Sequence, residues 1–222
     1  MKNIRLETVL NYINKEDKLA DVGCDHGYLA IMALNKGVEF VQLIDNKEGP
    51  LASAKQNLSL YDNYKNIEYS LSSGISKLNK CVNTVAICGM GGELIAQILE
   101  ADIEVAKNNI KFILQPNSKL SYLRRFLSNN KFQILDENII ADSGKVYEII
   151  VVMYNQRTNL LTDKEIIFGP MLMKNKQILF IQKWENKLKL NKKILTSLLK
   201  NDIKYQIIEK EIKMIEEVLY EN

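Results

Sequence analysis

Two carboxylates and the only histidine of the chain stand around one glycine in the stretch Leu19–Leu29, LADVGCDHGYL. Asp21 lies two residues before Gly23, and Cys24, Asp25, His26 and Gly27 follow it before Tyr28 opens an apolar pattern of helical period. A strand, a glycine-bounded turn and a helix start form the ligand-binding corner of a doubly wound α/β domain. The spacing is Gly-x-x-x-Gly, with Asp25 where the dinucleotide fingerprint places its second glycine. That glycine lets backbone approach a pyrophosphate, so a carboxylate in its place argues against NAD or FAD and suits a cationic ligand. A further acid, Asp45, ends the apolar run Val38–Ile44, at the position that accepts hydrogen bonds from both hydroxyls of a ribose. Asn46 is grouped with it.

The glycine turn resembles the first motif of the class I methyltransferases, whose S-adenosylmethionine carries a sulfonium and an ammonium. On that reading Asp21 and Asp25 sit near the methionine part of the cofactor; the alternative for Asp21 is capping of turn amides. Ser72-Ser73-Gly74 ends a later strand, where such folds bind adenine. Cys88-Gly89-Met90-Gly91-Gly92 follows another strand, where base-modifying methyltransferases often carry an Asn/Asp-Pro-Pro-Tyr/Phe motif. Its absence argues against methylation of an exocyclic amine. The glycines around Met90 suit backbone brought close to a flat ligand with the thioether on its ring face, or equally a turn with Met90 in the core. Cys24, Cys81 and Cys88 lack Cys-x-x-Cys spacing, so neither a disulfide framework nor a zinc site is expected. No Gly-x-Ser-x-Gly elbow is present for a hydrolytic triad.

The elements that must hold these residues alternate regularly. Helical spacing covers Ile4–Ile13, then strands are expected at Leu19–Val22, Val38–Ile44, Ile67–Leu71, Thr84–Cys88 and Lys111–Gln115, the last stopped by Pro116-Asn117. Helices between them cover Tyr28–Lys36, Gly49–Leu60, Glu93–Ala101 and, afterwards, Tyr122–Ser128. Gln133–Ala141 and Lys145–Tyr154 are strand-like runs joined by Asp142-Ser143-Gly144, a hairpin signal. Five β-α units closed by an antiparallel hairpin give an α/β, Rossmann-like sheet of seven strands, the pattern of the class I methyltransferases. Residues 1–157 are read as this catalytic domain and 158–222 as a C-terminal antiparallel helical hairpin resembling a coiled coil. Gly169-Pro170 lies at the expected joint.

The chain has 222 residues, 46% hydrophobic and 26% charged, ordinary for a globular protein. No apolar run is long enough to span a bilayer and the amino terminus has no signal-peptide profile, so the cytoplasm is the expected compartment, with no membrane association. The net charge is only +3, but residues 174–200 carry eight lysines against one acid. A helix so one-sided is an electrostatic footprint for phosphate, and Lys183, Lys187, Lys189, Lys192 and Lys193 are expected to grip a nucleic-acid backbone. A merely solvated face is the plain alternative.

ADVGCDHGYL, Asp45 before Gly49-Pro50, CGMGG, FILQPN (Phe112–Asn117) and SGKVYEI (Ser143–Ile149) together resemble the bacterial tRNA (adenine-22-N1)-methyltransferase family. The likeness covers the catalytic part in order and spacing, and a C-terminal helical hairpin is also a trait of that family. It implies S-adenosylmethionine as cofactor and N1 of an adenine in the D-arm region of tRNA as acceptor. The family often has Gly-Asp-Gly where this chain has Ser72-Ser73-Gly74, and Ser at Cys24. The cofactor set then comprises Asp21, Gly23, Cys24, Asp25, Gly27, Asp45, Asn46, Ser72, Ser73, Gly74, Cys88 and Gly89. Asp25, His26, Tyr28 and Met90 are placed at the reacting base, with Arg5, Gln115, Pro116, Asn117 and the five lysines on the tRNA. No metal and no obligate protein partner are expected, and the chain is read as a monomer. Another base methyltransferase of the same fold, a nucleotide-dependent oxidoreductase and a non-catalytic RNA-binding module are the rival readings.

Overall fold

The computed structural model describes residues 3–61 and 66–220. In chain order the elements are α1 (Ile4–Asn11), β1 (Lys18–Val22), α2 (Tyr28–Lys36), β2 (Phe40–Asp45), α3 (Glu48–Leu58), β3 (Ile67–Leu71) and β4 (Thr84–Gly91). There follow α4 (Gly92–Ala101), α5 (Ile103–Ala106), β5 (Lys111–Ser118), α6 (Leu120–Asn129), β6 (Phe132–Asp142) and β7 (Lys145–Tyr154). The C-terminal part is helical: α7 (Asp163–Phe168), α8 (Pro170–Asn175), α9 (Ile178–Leu195) and α10 (Ile203–Tyr220).

All seven strands join one sheet in the order β3-β2-β1-β4-β5-β7-β6. β1 to β5 run parallel, and β7 is antiparallel to both of its neighbours. This is the Rossmann-like class I methyltransferase sheet. The strand order reverses between β1 and β4, which opens a crevice at the carboxyl ends of those two strands. Apolar side chains on the two faces form two separate cores. Val22, Ile44, Val85, Ile87, Phe112 and Leu114 lie on one side with α4 and α6; Leu19, Val41, Leu43, Ala86 and Ile113 lie on the other with α1, α2 and α3. The β6–β7 hairpin turns through Ser143 and Gly144, both at positive φ (50° and 76°), as a two-residue turn compatible with strand twist requires.

Two strands run beyond their expected ends. β4 continues through Gly89, Met90 and Gly91, and β5 continues through Pro116, the two pairing with register shifts on either side of Met90. Pro116 costs the sheet little, because β7 pairs with β5 only as far as Leu114 opposite Ile150. The long basic helix is likewise interrupted. α8 ends at Asn175, Lys176 takes a left-handed φ of 41°, and α9 begins at Ile178; the connection to α10 spans residues 196–202 rather than Asn201-Asp202 alone.

The helical part has its own apolar core, built from Phe168, Leu172, Phe180, Trp184, Leu188, Ile208, Ile212, Ile215 and Val218. Ile139 of β6 enters the same core, so the hairpin is seated on the sheet. Beneath that seat lies a buried charge cluster. The guanidinium of Arg124 (α6) donates through Nε to Glu137 Oε1 at 2.7 Å and through Nη2 to Glu148 Oε2 at 2.5 Å. Glu137 Oε2 also accepts from the backbone N–H of Met171 in the first turn of α8, at 3.0 Å. Arg124, Glu137 and Glu148 are all at most 2% exposed. Burial opposes the charge on Glu148, but Arg124 and Lys183 outweigh it and hold the carboxyl below its ordinary pKa.

Candidate active site

The carboxyl ends of β1, β2 and β4 line a cleft of about 570 Å³. Its walls include Arg5, Asp21, Gly23, Cys24, Asp25, His26, Tyr28, Asp45, Cys88, Gly89, Met90 and Asn117. A second hollow of about 190 Å³ shares Gly23, Asp45 and Met90 with it and adds Asn46, Ser72, Ser73 and Gly74. The two compartments are thus neighbours, and Met90 stands between them. Its terminal methyl rests on Gly23: a Cβ built there would lie 2.1 Å from Met90 Cε, and φ is +74° besides. Only glycine fits that position as the site stands.

Asp21 is 4% exposed, on the last turn-ward stretch of β1. Burial raises its pKa to about 7, and the charges of Asp45 and Asp25 add to the rise. An acid in this state lacks a counter-charge, and a cation bound in the cleft would supply one. Asp45 Oδ1 accepts from the Lys47 N–H at 3.0 Å, which fixes the carboxylate at the strand end between the two hollows. Asp25 takes a left-handed φ of 47° in the turn, and its carboxylate lies 3.6 Å from His26 Nε2. The turn itself is pinned from α3, where Asn57 Nδ2 donates to the His26 carbonyl at 3.0 Å. Tyr28, the first residue of α2, is 55% exposed with its ring 5.6 Å from that of His26.

A hydrogen-bonded frame closes the other wall. Gln115 Oε1 accepts from Arg5 Nη1 at 2.6 Å and from the Gly89 N–H at 3.1 Å. Gln115 Nε2 donates to Asn117 Oδ1 at 3.1 Å, and Asn117 Nδ2 donates to the Gly89 carbonyl at 2.7 Å. Arg5 also lies over the Tyr147 ring, 5.8 Å from its centroid. Gln115, fully buried, therefore shapes the Cys88-Gly89 backbone from behind, while Arg5, Gly89 and Asn117 of this frame line the cleft. Pro116 is buried behind it. Both cleft thiols are held protonated. Burial first, and then the charge of Asp21, push Cys24 and Cys88 well above the ordinary thiol range, which removes either as a thiolate nucleophile.

A model of the family described as tRNA (adenine(22)-N(1))-methyltransferase matches residues 19–217. The chain belongs to that family. The tRNA (adenine(22)-N(1))-methyltransferase of Bacillus subtilis is 32% identical over 190 residues, covering 83% of this chain and 80% of that one. The Streptococcus pneumoniae protein Sp1610, solved in complex with S-adenosyl-L-methionine, superposes with a TM-score of 0.87 at 33% identity, over 99% of this chain and 100% of that one. The Mycoplasma capricolum member, solved with S-adenosylhomocysteine, gives 0.85 at 29% identity, over 99% and 98%. This family is S-adenosylmethionine-dependent, and the cleft fits the cofactor: three acids converge on one compartment, and a smaller hollow adjoins it.

The structure thus brings every expected cofactor residue except Gly27 into the walls of the two hollows, and Gly27 packs inward on Leu43, Ala54 and Leu58. Asn3 and Tyr147 line the cleft without having been singled out. Tyr147 stands inside SGKVYEI, but strand alternation alone gives no sign that it meets Arg5. The five lysines do not form one free face. Lys183 is held by Glu148, Lys187 by Glu211 at 3.3 Å and Lys192 by Glu216 at 2.6 Å, while Lys189 and Lys193 are exposed with no ion pair among the described residues. Lys183, buried on one side between Glu148 and the Trp184 ring, is withdrawn from the phosphate-gripping surface expected of it.

Proposed function

We propose that this enzyme methylates N1 of adenine 22 in tRNA, with the cleft dividing the work between its acidic and its aromatic ends. S-adenosylmethionine supplies an electrophilic methyl carried on a sulfonium. Asp21 and Asp25 would face the cationic methionine end, Asp45 and Asn46 the ribose, and Ser72, Ser73 and Gly74 the adenine. Cys24, Cys88 and Gly89 complete that wall.

Adenine N1 has an in-plane lone pair that is free at neutral pH, so no general base is needed. What the chain must do is unpair the base and hold it in line. Tyr28, exposed at the mouth of the cleft, and Met90, between the two hollows, are placed to hold the ring faces. Methylation leaves a cationic ring, and the neighbouring Asp25 carboxylate, with His26 beside it, can balance that charge. The frame of Arg5, Gln115 and Asn117 keeps the strand ends in register around the base. We place the catalytic domain at 1–157 and a tRNA-gripping hairpin at 158–222, with the exposed Lys189 and Lys193 of α9 among its cations. Affinity from such contacts carries no sequence readout. The chain is read as a monomer acting on cytoplasmic tRNA.

The observation that carries this reading is the convergence of Asp21, Asp25 and Asp45 on the crevice between β1 and β4, beside an exposed aromatic. Incubation with methyl-labelled S-adenosylmethionine and a tRNA transcript, followed by nucleoside digestion, tests it. The expected product is 1-methyladenosine, lost when adenine 22 is replaced by guanine. Label in any other nucleoside would refute it.

A further inference from the structure

Lys183 is the one lysine of α9 that reaches the buried charge cluster. Its ammonium bonds Glu148 Oε1 on β7, and it lies 4.9 Å from the centroid of the Trp184 ring. Glu148 is also held by Arg124, which shares its guanidinium with Glu137, and Glu137 in turn takes the Met171 N–H at the start of α8. The cluster therefore links α6, β6, β7, α8 and α9 through one set of hydrogen-bonded charges. At the joint between α7 and α8, Gly169 lies directly on it: a Cβ there would sit 2.6 Å from both Arg124 Nη2 and Glu137 Oε2. Glu148 also adjoins Tyr147 in β7, whose ring faces Arg5 at the catalytic cleft.

An apolar seat alone, with the Phe168 and Trp184 rings tilted against each other at a centroid distance of 4.4 Å, would hold the hairpin down without fixing its direction. Hydrophobic contact is non-directional, whereas a buried charge tolerates only the geometry that satisfies it. We infer that the Lys183–Glu148 bridge is a positioning device that fixes the direction of the α9–α10 arm relative to the catalytic cleft. The consequence for substrate rests on the reading that this arm grips tRNA.

The test replaces Lys183 by Met, which keeps the stem over Trp184 and removes the charge, and by Arg, which restores it. Lys183 is only partly buried, and Arg124 remains on both glutamates, so the K183M protein is expected to fold; its melting curve and S-adenosylhomocysteine affinity verify that. Spin labels on the exposed Cys81 and on Ser197→Cys, in the loop after α9, read the arm's direction as a distance distribution. The expected result is a narrow distribution in the parent, a broadened one in K183M and a narrow one again in K183R. With tRNA, K183M should raise KM about tenfold at nearly unchanged kcat, and K183R should restore it. An unchanged distribution in K183M would overturn the inference. A broadened distribution with an unaltered KM would uphold the anchor and refute the arm as the tRNA grip.

Discussion

Replacing Asp21 by Asn removes the charge but keeps the shape of the carboxyl at the floor of the cleft. Burial, then Asp45 and Asp25, raise the pKa of Asp21 from 3.8 to about 7. A shift of roughly three units at 1.36 kcal/mol each puts the penalty of the buried charge at up to about 4 kcal/mol. The sign follows from proton binding. Between the unfolded pKa near 4 and the folded pKa near 7, the folded state holds a proton that the unfolded state has lost. Stability from this group is therefore full below pH 4, falls as pH rises to 7, and is absent above it. Asp21→Asn should consequently stabilise the ligand-free protein at pH 8, by at most that amount, with a gain that shrinks through pH 7 and vanishes near pH 4. The same substitution should abolish tight binding of S-adenosylhomocysteine, whose ammonium would lose its counter-charge. In the parent, affinity should climb with pH up to about 7 and then level off. Urea unfolding at pH 4.5 and 8 and calorimetric titration across the same range measure both effects. A variant less stable than the parent at pH 8, or a parent affinity independent of pH, would refute the reasoning.

Asp45→Ala should weaken S-adenosylhomocysteine binding by roughly tenfold to a hundredfold, the worth of hydrogen bonds to a charged acceptor, with the melting curve little changed; calorimetry checks it. Neutralising Lys189 and Lys193 together should lower tRNA affinity and make its logarithmic salt dependence shallower by roughly 1 to 2. The same treatment of Lys187 and Lys192, already paired with Glu211 and Glu216, should do less, and filter binding across a salt series compares the pairs. Gly169→Ala forces a Cβ into Arg124 and Glu137 at a φ of +88°, and should destabilise the protein by roughly 2–4 kcal/mol in urea unfolding.

The sheet was legible because its signals are local. Alternation of apolar runs with helical spacing placed β3 and α2 to the residue, and Asp142-Ser143-Gly144 marked the hairpin turn. What was not legible depends on partners. Gly89 to Gly91 read as the turn after Cys88, and Pro116 as a strand stop, yet the structure keeps them in β4 and β5, with Met90 opposite Pro116 and Gly91 opposite Ser118 across a bulge. The surplus of lysine in 174–200 was visible, and so were the acids of the last helix. The contact between the last two helices that sets Lys187 on Glu211 and Lys192 on Glu216 was not, nor was the distant Glu148 that captures Lys183. At the cleft, the residue types around Gly23 announced a cationic ligand. The frame of Arg5, Gln115, Asn117 and Tyr147 required strand neighbours and a helix from the far end of the chain.

The methyl of Met90 resting on Gly23 makes the cleft a two-room site with a single side chain as its partition. A small molecule that occupies one room alone, an amino acid on the acid side or a nucleoside beside Ser72, leaves that partition where it stands. One molecule long enough to fill both must turn the thioether aside. Joining two such fragments should therefore gain less affinity than their separate values promise, and the shortfall measures the work of moving a single side chain.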